Sequence, residues 1–312
     1  MNETDGVVTA PVLSVDGLDV TYANGARAVR ELSLDLGDGE CLALVGESGC
    51  GKTTVARALL GLLPRRTRVA GSVRIRGTEV VGASSRRLRR LRGTDVAYVA
   101  QDPYAACDPL RTVAHHVEEG WRAKGQRPPD GQVTARLAEL GIEDAQHRAR
   151  LRPHQWSGGM LQRATIAGAT VHGPALTVAD EATSALDADL SDGVLSALRA
   201  ASNALLLVSH DLALVAKHAD RVAVMYHGRV VETGRTGDVI GAPRHPYTRA
   251  LLLAAPRPGA GLPRELPGTP PSLADRLPGC SFAPRCAHSG DQCRELLPLL
   301  TDGVACHAVE RS

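Results

Sequence analysis

Apolar and polar positions alternate from Val12 to Leu36, with breaks at Gly17, Asn24 and Gly25. Alternation with a period of two buries one face of a pleated chain, so this stretch predicts short antiparallel strands. Cys41–Val45 (C-L-A-L-V) is a compact apolar run and predicts a buried strand. A glycine-rich turn follows, and then Thr53–Leu63 carries a helical period stopped by Pro64. Val73–Val81 returns to strand-like alternation. Ser84–Arg92 places Leu88 and Leu91 three apart, as on a surface helix whose five arginines face water. Between Pro103 and His172 the pattern is mostly helical, which predicts a helical subdomain set into a sheet-based core. Leu176–Ala179, Ala204–Val208 and Val222–Met225 are strand-like again, separated by helical stretches. Strand and helix in alternation indicate an α/β fold with a parallel sheet covered by helices.

The longest apolar stretches, Ala204–Val208 and Ala250–Ala255, fall far short of the roughly 18 residues a membrane-spanning helix needs. Met1–Gly6 carries Glu3 and Asp5 rather than a basic, apolar leader, so no secretion signal is expected and any membrane role is peripheral. With 43% hydrophobic and 22% charged residues, the 312-residue chain has the make-up of a globular protein with a real core. A net charge of +2 gives no electrostatic footprint for nucleic acid. Only Lys52, Lys124 and Lys217 are lysines among 36 basic residues, which makes a lysine in a motif informative.

Gly46-Glu47-Ser48-Gly49-Cys50-Gly51-Lys52-Thr53 fits the phosphate-binding loop pattern, between a predicted strand and a predicted helix. Glycines let backbone N–H groups converge on phosphate oxygens, and the helix presents its positive N-terminal end. Lys52 is expected to reach the outer phosphates and Thr53 to hold Mg²⁺, with Thr54 next in line. A second apolar strand, Ala175–Ala179, ends in Asp180 and Glu181. Asp180 is placed to hold Mg²⁺ through water and Glu181 to polarise an attacking water. Ser157-Gly158-Gly159 opens a helix and forms a second cradle of backbone donors. One nucleotide does not need two cradles, so the second is expected to serve a partner's nucleotide.

With these motifs the chain, from about Val12 to Ala255, resembles the ATP-binding cassette (ABC) family, whose ATPase domains pair head to tail around two ATP molecules. The resemblance implies a P-loop NTPase domain over 1–255: a RecA-like core, an antiparallel β subdomain and a helical subdomain at about 103–172. It implies that Gln101 joins the core to the helical subdomain and senses Mg²⁺ and water. It further implies that Ser184–Asp187 (S-A-L-D) crosses the dimer interface, with Asp187 at the nucleotide, that His210 contacts the γ-phosphate and that Tyr22 stacks on adenine. Ala182, Ala100 and Leu161 depart from the family's usual residues, and none removes a group that contacts phosphate. A soluble cassette acting on DNA or ribosomes is the weaker reading, since long coiled-coil insertions are missing. A phosphate-loop kinase or GTPase leaves Ser157–Gly159 and His210 unexplained.

From Pro256 onward the texture changes, with Pro256, Pro258, Pro263, Pro267, Pro270, Pro271 and Pro278 forming a linker-like tract. A boundary near residue 256 and a C-terminal extension over 256–312 are expected. His245–Leu252 (H-P-Y-T-R-A-L-L), Leu277–Gly279 and Cys280–Cys286 (C-S-F-A-P-R-C) resemble the oligopeptide and dipeptide importer ATPases. That resemblance implies an importer energised by ATP on the cytoplasmic face of the membrane. Its partners would be a second, non-identical cassette, two permeases and an external binding protein; importers of nickel, other metal chelates or glutathione are the alternative. Cys280, Cys286, Cys293 and Cys306 are separated by 5, 6 and 12 residues. Four thiolates suit an iron–sulfur cluster, and resemblance to those ATPases favours 4Fe-4S. Zinc, with His288 or His307 as further ligands, and four unliganded thiols are the other readings.

Overall fold

The structure, a computed structural model, describes residues 10–184, 186–255, 266 and 268–308. The readings of Met1–Gly6 and of prolines 256, 258, 263 and 267 fall outside the described residues, as does Ala185. β1 (Leu13–Thr21) and β2 (Arg27–Leu36) form an antiparallel hairpin, and Leu13, Val15, Leu18 and Val20 point inward as the alternation requires. β3 (Cys41–Val45) is buried at every position, because parallel neighbours flank it on both sides.

α1 spans Lys52–Leu59 and ends short of the predicted Leu63. Gly61 adopts φ +61°, and Gly61 and Leu62 donate their N–H groups to Ala58 and Arg57. That is a left-handed glycine cap, which stops the helix before Pro64 is reached. β4 (Arg68–Ile75) and β5 (Thr78–Glu79) replace the single strand expected over 73–81. Arg76 and Gly77 both have positive φ, the backbone of a tight hairpin turn, so the chain reverses there. These strands make a four-stranded antiparallel sheet, ordered β2-β1-β4-β5.

α2 (Ser85–Leu91) packs Leu88 and Leu91 inward beneath exposed arginines, and β6 (Val96–Val99) enters the second sheet. The expected helical subdomain comprises α3 (Val113–Arg122), α4 (Gln132–Glu139), α5 (Ala145–Arg148) and α6 (Gly158–Ala169). α3 and α6 meet at glycines: a β-carbon on Gly120 would lie 2.6 Å from the Gly168 carbonyl oxygen. The chain then alternates through β7 (Leu176–Asp180), α7 (Ala188–Ala200), β8 (Ala204–Val208), α8 (Leu212–His218) and β9 (Arg221–Tyr226). β10 (Arg229–Arg235) runs antiparallel at the edge, followed by α9 (Thr236–Gly241) and α10 (Pro246–Ala254). The six-stranded order is β10-β9-β3-β8-β7-β6, parallel from β9 to β6.

Beyond residue 268 the chain holds a short helix, α11 (Asp291–Glu295), and little other regular structure. Its Phe282 belongs to the hydrophobic cluster of the main sheet and helices rather than to a separate core. Phe282 inserts between Tyr226, Tyr247 and His245, with ring centroids 5.4–6.1 Å away. Residues 303–305 pair with the exposed edge of β10: Thr233 N–H donates to Gly303 at 2.7 Å and Ala305 N–H to Val231 at 2.8 Å. The C-terminal segment thus covers an otherwise open sheet edge.

Candidate active site

The phosphate-binding loop joins β3 to α1, and its glycines answer to hard contacts. A β-carbon at Gly46 would sit 2.2 Å from the Met225 carbonyl oxygen, and one at Gly51 2.2 Å from that of Ala28. Both have positive φ, so both the space and the backbone demand glycine. Lys52 is the first residue of α1 and only 4% exposed. Its ammonium donates to the Gly46 carbonyl at 2.8 Å and the Glu47 carbonyl at 3.0 Å.

Two carboxylates face this loop from the end of β7. Asp180 is buried; its Oδ1 accepts from Thr53 Oγ1 and its Oδ2 from the Tyr98 hydroxyl, each at 3.1 Å. Burial raises its pKa, against the pull of those two bonds. Thr53 and Asp180 thus offer a hard, oxygen-only donor pair, which fits Mg²⁺. Glu181 has φ +50° and donates its backbone N–H to Val208, a left-handed turn that projects its carboxylate. Glu181 Oε1 lies 3.9 Å from Lys52 Nζ, and its Oε2 lies 3.6 Å from His210 Nδ1. Lys52, Glu181 and His210 therefore form one string across the carboxyl ends of β3, β7 and β8.

The remaining residues singled out by sequence lie around this string. The Tyr22 hydroxyl hydrogen-bonds Thr54 Oγ1 at 2.9 Å, tethering the β1–β2 turn to α1. Gln101, exposed after β6, donates to Ser184 Oγ at 3.1 Å. Asp187 caps α7 by accepting the Leu190 N–H. Ser157 caps α6 by accepting from Met160 N–H, and among the described residues no hydrogen bond or ion pair joins Ser157–Gly159 to the phosphate loop. Sequence reasoning missed Tyr98, which gives no local signal. It also passed over Gln162, fully buried in α6, whose amide donates to the Ala100 carbonyl and ties the helical subdomain to the Gln101 loop.

The four C-terminal cysteines are free thiols lining one small pocket with His245, His288 and His307. Burial pushes Cys280 up to about 11 and raises Cys286 as well, which favours protonated thiols. Among the described residues no group of three or more His, Cys, Asp or Glu side chains is arranged to hold a metal ion. The structure therefore does not supply the iron–sulfur or zinc centre expected of Cys280, Cys286, Cys293 and Cys306.

The ABC transporter family model matches residues 29–184, from β2 past both carboxylates. The oligopeptide transport ATP-binding protein OppD of Mycobacterium tuberculosis is 41% identical over 96% of this chain and 51% of its own length. The chain belongs to the ABC transporter family. The family's oligopeptide/dipeptide transporter C-terminal region matches residues 231–293. The dipeptide transport ATP-binding protein DppD of Bacillus subtilis is 38% identical over 96% of this chain and 93% of its own. The chain spans about half the length of the mycobacterial OppD relatives it matches. Among solved ABC structures, cbiO1 of Clostridium perfringens is 25% identical with a TM-score of 0.65, covering 75% of this chain and 92% of its own. The dimeric cassette MJ0796 bound to ADP and Pi has a TM-score of 0.63 at 23% identity, over 72% of this chain and 98% of its own, and supports the fold alone.

Proposed function

We propose that this chain is the ATP-hydrolysing subunit of an ABC importer of oligopeptides or dipeptides, acting at the cytoplasmic face of the membrane. The observation that carries the reading is the string Lys52–Glu181–His210 set over the glycine loop, with Thr53 and Asp180 beside it. The named transport roles of the similar OppD and DppD proteins point to peptides as cargo. Among the described residues no helix is long and apolar enough to cross a membrane, so the path through the bilayer would belong to two permease subunits. An external binding protein would select the cargo.

In the proposed reaction the loop N–H groups and Lys52 hold the ATP phosphates, and Tyr22 stacks on adenine. Thr53 and Asp180 would hold Mg²⁺, directly and through water, with Gln101 nearby; when bound, the ion neutralises charge on the phosphate oxygens. Glu181 accepts a proton from a water whose oxygen attacks the γ-phosphorus in line. The bond from that phosphorus to the bridging oxygen of ADP breaks, releasing ADP and phosphate, while His210 contacts the γ-phosphate. Ser157–Gly159, at the N-terminus of the 12-residue α6, would close on the nucleotide of a second cassette, and Asp187 would meet it across the interface.

The test is ATP hydrolysis by the transporter purified intact from membranes. Stimulation by peptide-loaded binding protein, lost in Glu181→Gln, is the expected result; equal turnover in that variant contradicts the role of Glu181. The narrower reading that Cys280, Cys286, Cys293 and Cys306 hold a 4Fe-4S cluster rests on their sharing one pocket. Iron and sulfide analysis of anaerobically purified protein tests it, and protein free of both ends it. No step of ATP hydrolysis runs through these thiols.

A further inference from the structure

Glu47, the second residue of the phosphate loop, is gripped from outside the loop. Its carboxylate receives both arms of the Arg285 guanidinium, at 2.7 and 3.0 Å. Its backbone N–H donates to the Tyr247 hydroxyl at 2.8 Å, and its carbonyl accepts from Lys52. Two of these three holds come from beyond β10: Tyr247 from α10, and Arg285 from the turn between Cys280 and Cys286. Neither support is loose. The Arg285 side chain is 4% exposed, lies 5.8 Å from the ring centroids of Tyr226 and Phe282, and bonds the Tyr226 hydroxyl. Tyr247 is fully buried against the same rings.

We propose that Arg285 is a positioning residue for the phosphate loop, through which the C-terminal segment sets the chain's affinity for nucleotide. The inference rests on the nucleotide-binding reading of that loop and adds a control on it. Two physical effects act in the same direction. The planar fork fixes the Glu47 side chain, so with Tyr247 it fixes the peptide from which the converging N–H groups of residues 49–52 are launched. The cation also cancels a carboxylate that stands in the loop meant for a polyanion. Without Arg285 that charge, 20% exposed, would repel the incoming phosphates.

The experiment uses the full chain, with MgATP binding followed by calorimetry, and the assembled transporter, with hydrolysis followed against ATP concentration. Arg285→Met keeps an unbranched side chain over the rings of Tyr226 and Phe282 and loses the charge and fork. It should weaken MgATP binding about tenfold and raise KM alike, with kcat within about twofold, since Lys52, Glu181 and His210 are untouched. Arg285→Lys should recover only part of the affinity, because it restores the charge without the fork. Glu47→Gln combined with Arg285→Met should also recover only part of it, because the unpaired carboxylate is gone while the fork that holds the loop is still missing. Unchanged affinity in Arg285→Met would overturn the proposal, as would a double variant no better than the single one. Wild-type chain that fails to bind MgATP would overturn the nucleotide assignment itself, and that failure shows before any variant is made.

Discussion

The chain carries two glycine turns that open a helix, and they differ in what surrounds them. Gly46–Thr53 is enclosed: Lys52 is buried, Asp180 and Glu181 face it from β7, and Arg285 and Tyr247 brace it from behind. Ser157–Gly159 is a bare helix start, with Ser157 exposed and its hydroxyl occupied by its own cap. Backbone donors alone bind anions weakly in water, whereas a lysine, a metal-holding pair and a base make a reaction centre. On the proposed reading, the first turn does the chemistry and the second completes the site of a second cassette. That reading makes hydrolysis depend on pairing, and the predictions below test it.

The largest expected effect falls on the enclosed turn. Glu181→Gln should lower turnover of the assembled transporter by about a hundredfold or more while leaving MgATP bound, because only the water-polarising charge is removed. Stopped turnover with lost binding would instead place Glu181 among the phosphate holders. Lys52→Ala should weaken MgATP binding to the isolated chain by roughly tenfold to a hundredfold, the worth of a charge-assisted contact to phosphate. Calorimetry on the two variants separates the roles.

At the bare turn, Ser157→Glu puts a carboxylate where the partner's phosphates are proposed to sit. Hydrolysis by the assembled transporter should fall about tenfold, with MgATP affinity of the isolated chain unchanged. A loss of affinity in the isolated chain would mean that the two turns serve one nucleotide. The smallest effect concerns the C-terminal segment behind the enclosed turn. His227 is buried, its ring bonded to Ser281, Ser272 and Arg30, and burial lowers its pKa. The unfolded chain then binds the extra proton first, so the stability that neutral His227 gives is present above about pH 6.5 and lost as pH falls below it. His227→Gln should reduce the drop in melting temperature between pH 7 and pH 5 by roughly 2 °C.

What could be read from the sequence was what lies close along the chain. The phosphate loop, the Asp180–Glu181 strand end and the parallel strands are contiguous patterns with a fixed period. Helix ends and turns were read less well: α1 stops at a Gly61 cap that Pro64 hid, and Arg76–Gly77 reverses what looks like one strand. Contacts between distant segments were out of reach. Arg285 and Glu47 are 238 positions apart, and a lone arginine between two cysteines announces nothing. The cysteine spacing brought four thiols to one pocket without a metal-holding group among the described residues, because spacing constrains proximity and not donor geometry.

Steady-state ATP hydrolysis, measured for the isolated chain and for the intact transporter at equal site concentration, tests the division between the two turns most directly. Little hydrolysis by the isolated chain, with turnover appearing on assembly and rising cooperatively with ATP, is the predicted result. Full, non-cooperative turnover by the isolated monomer would contradict it, since a single chain would then be closing its own site.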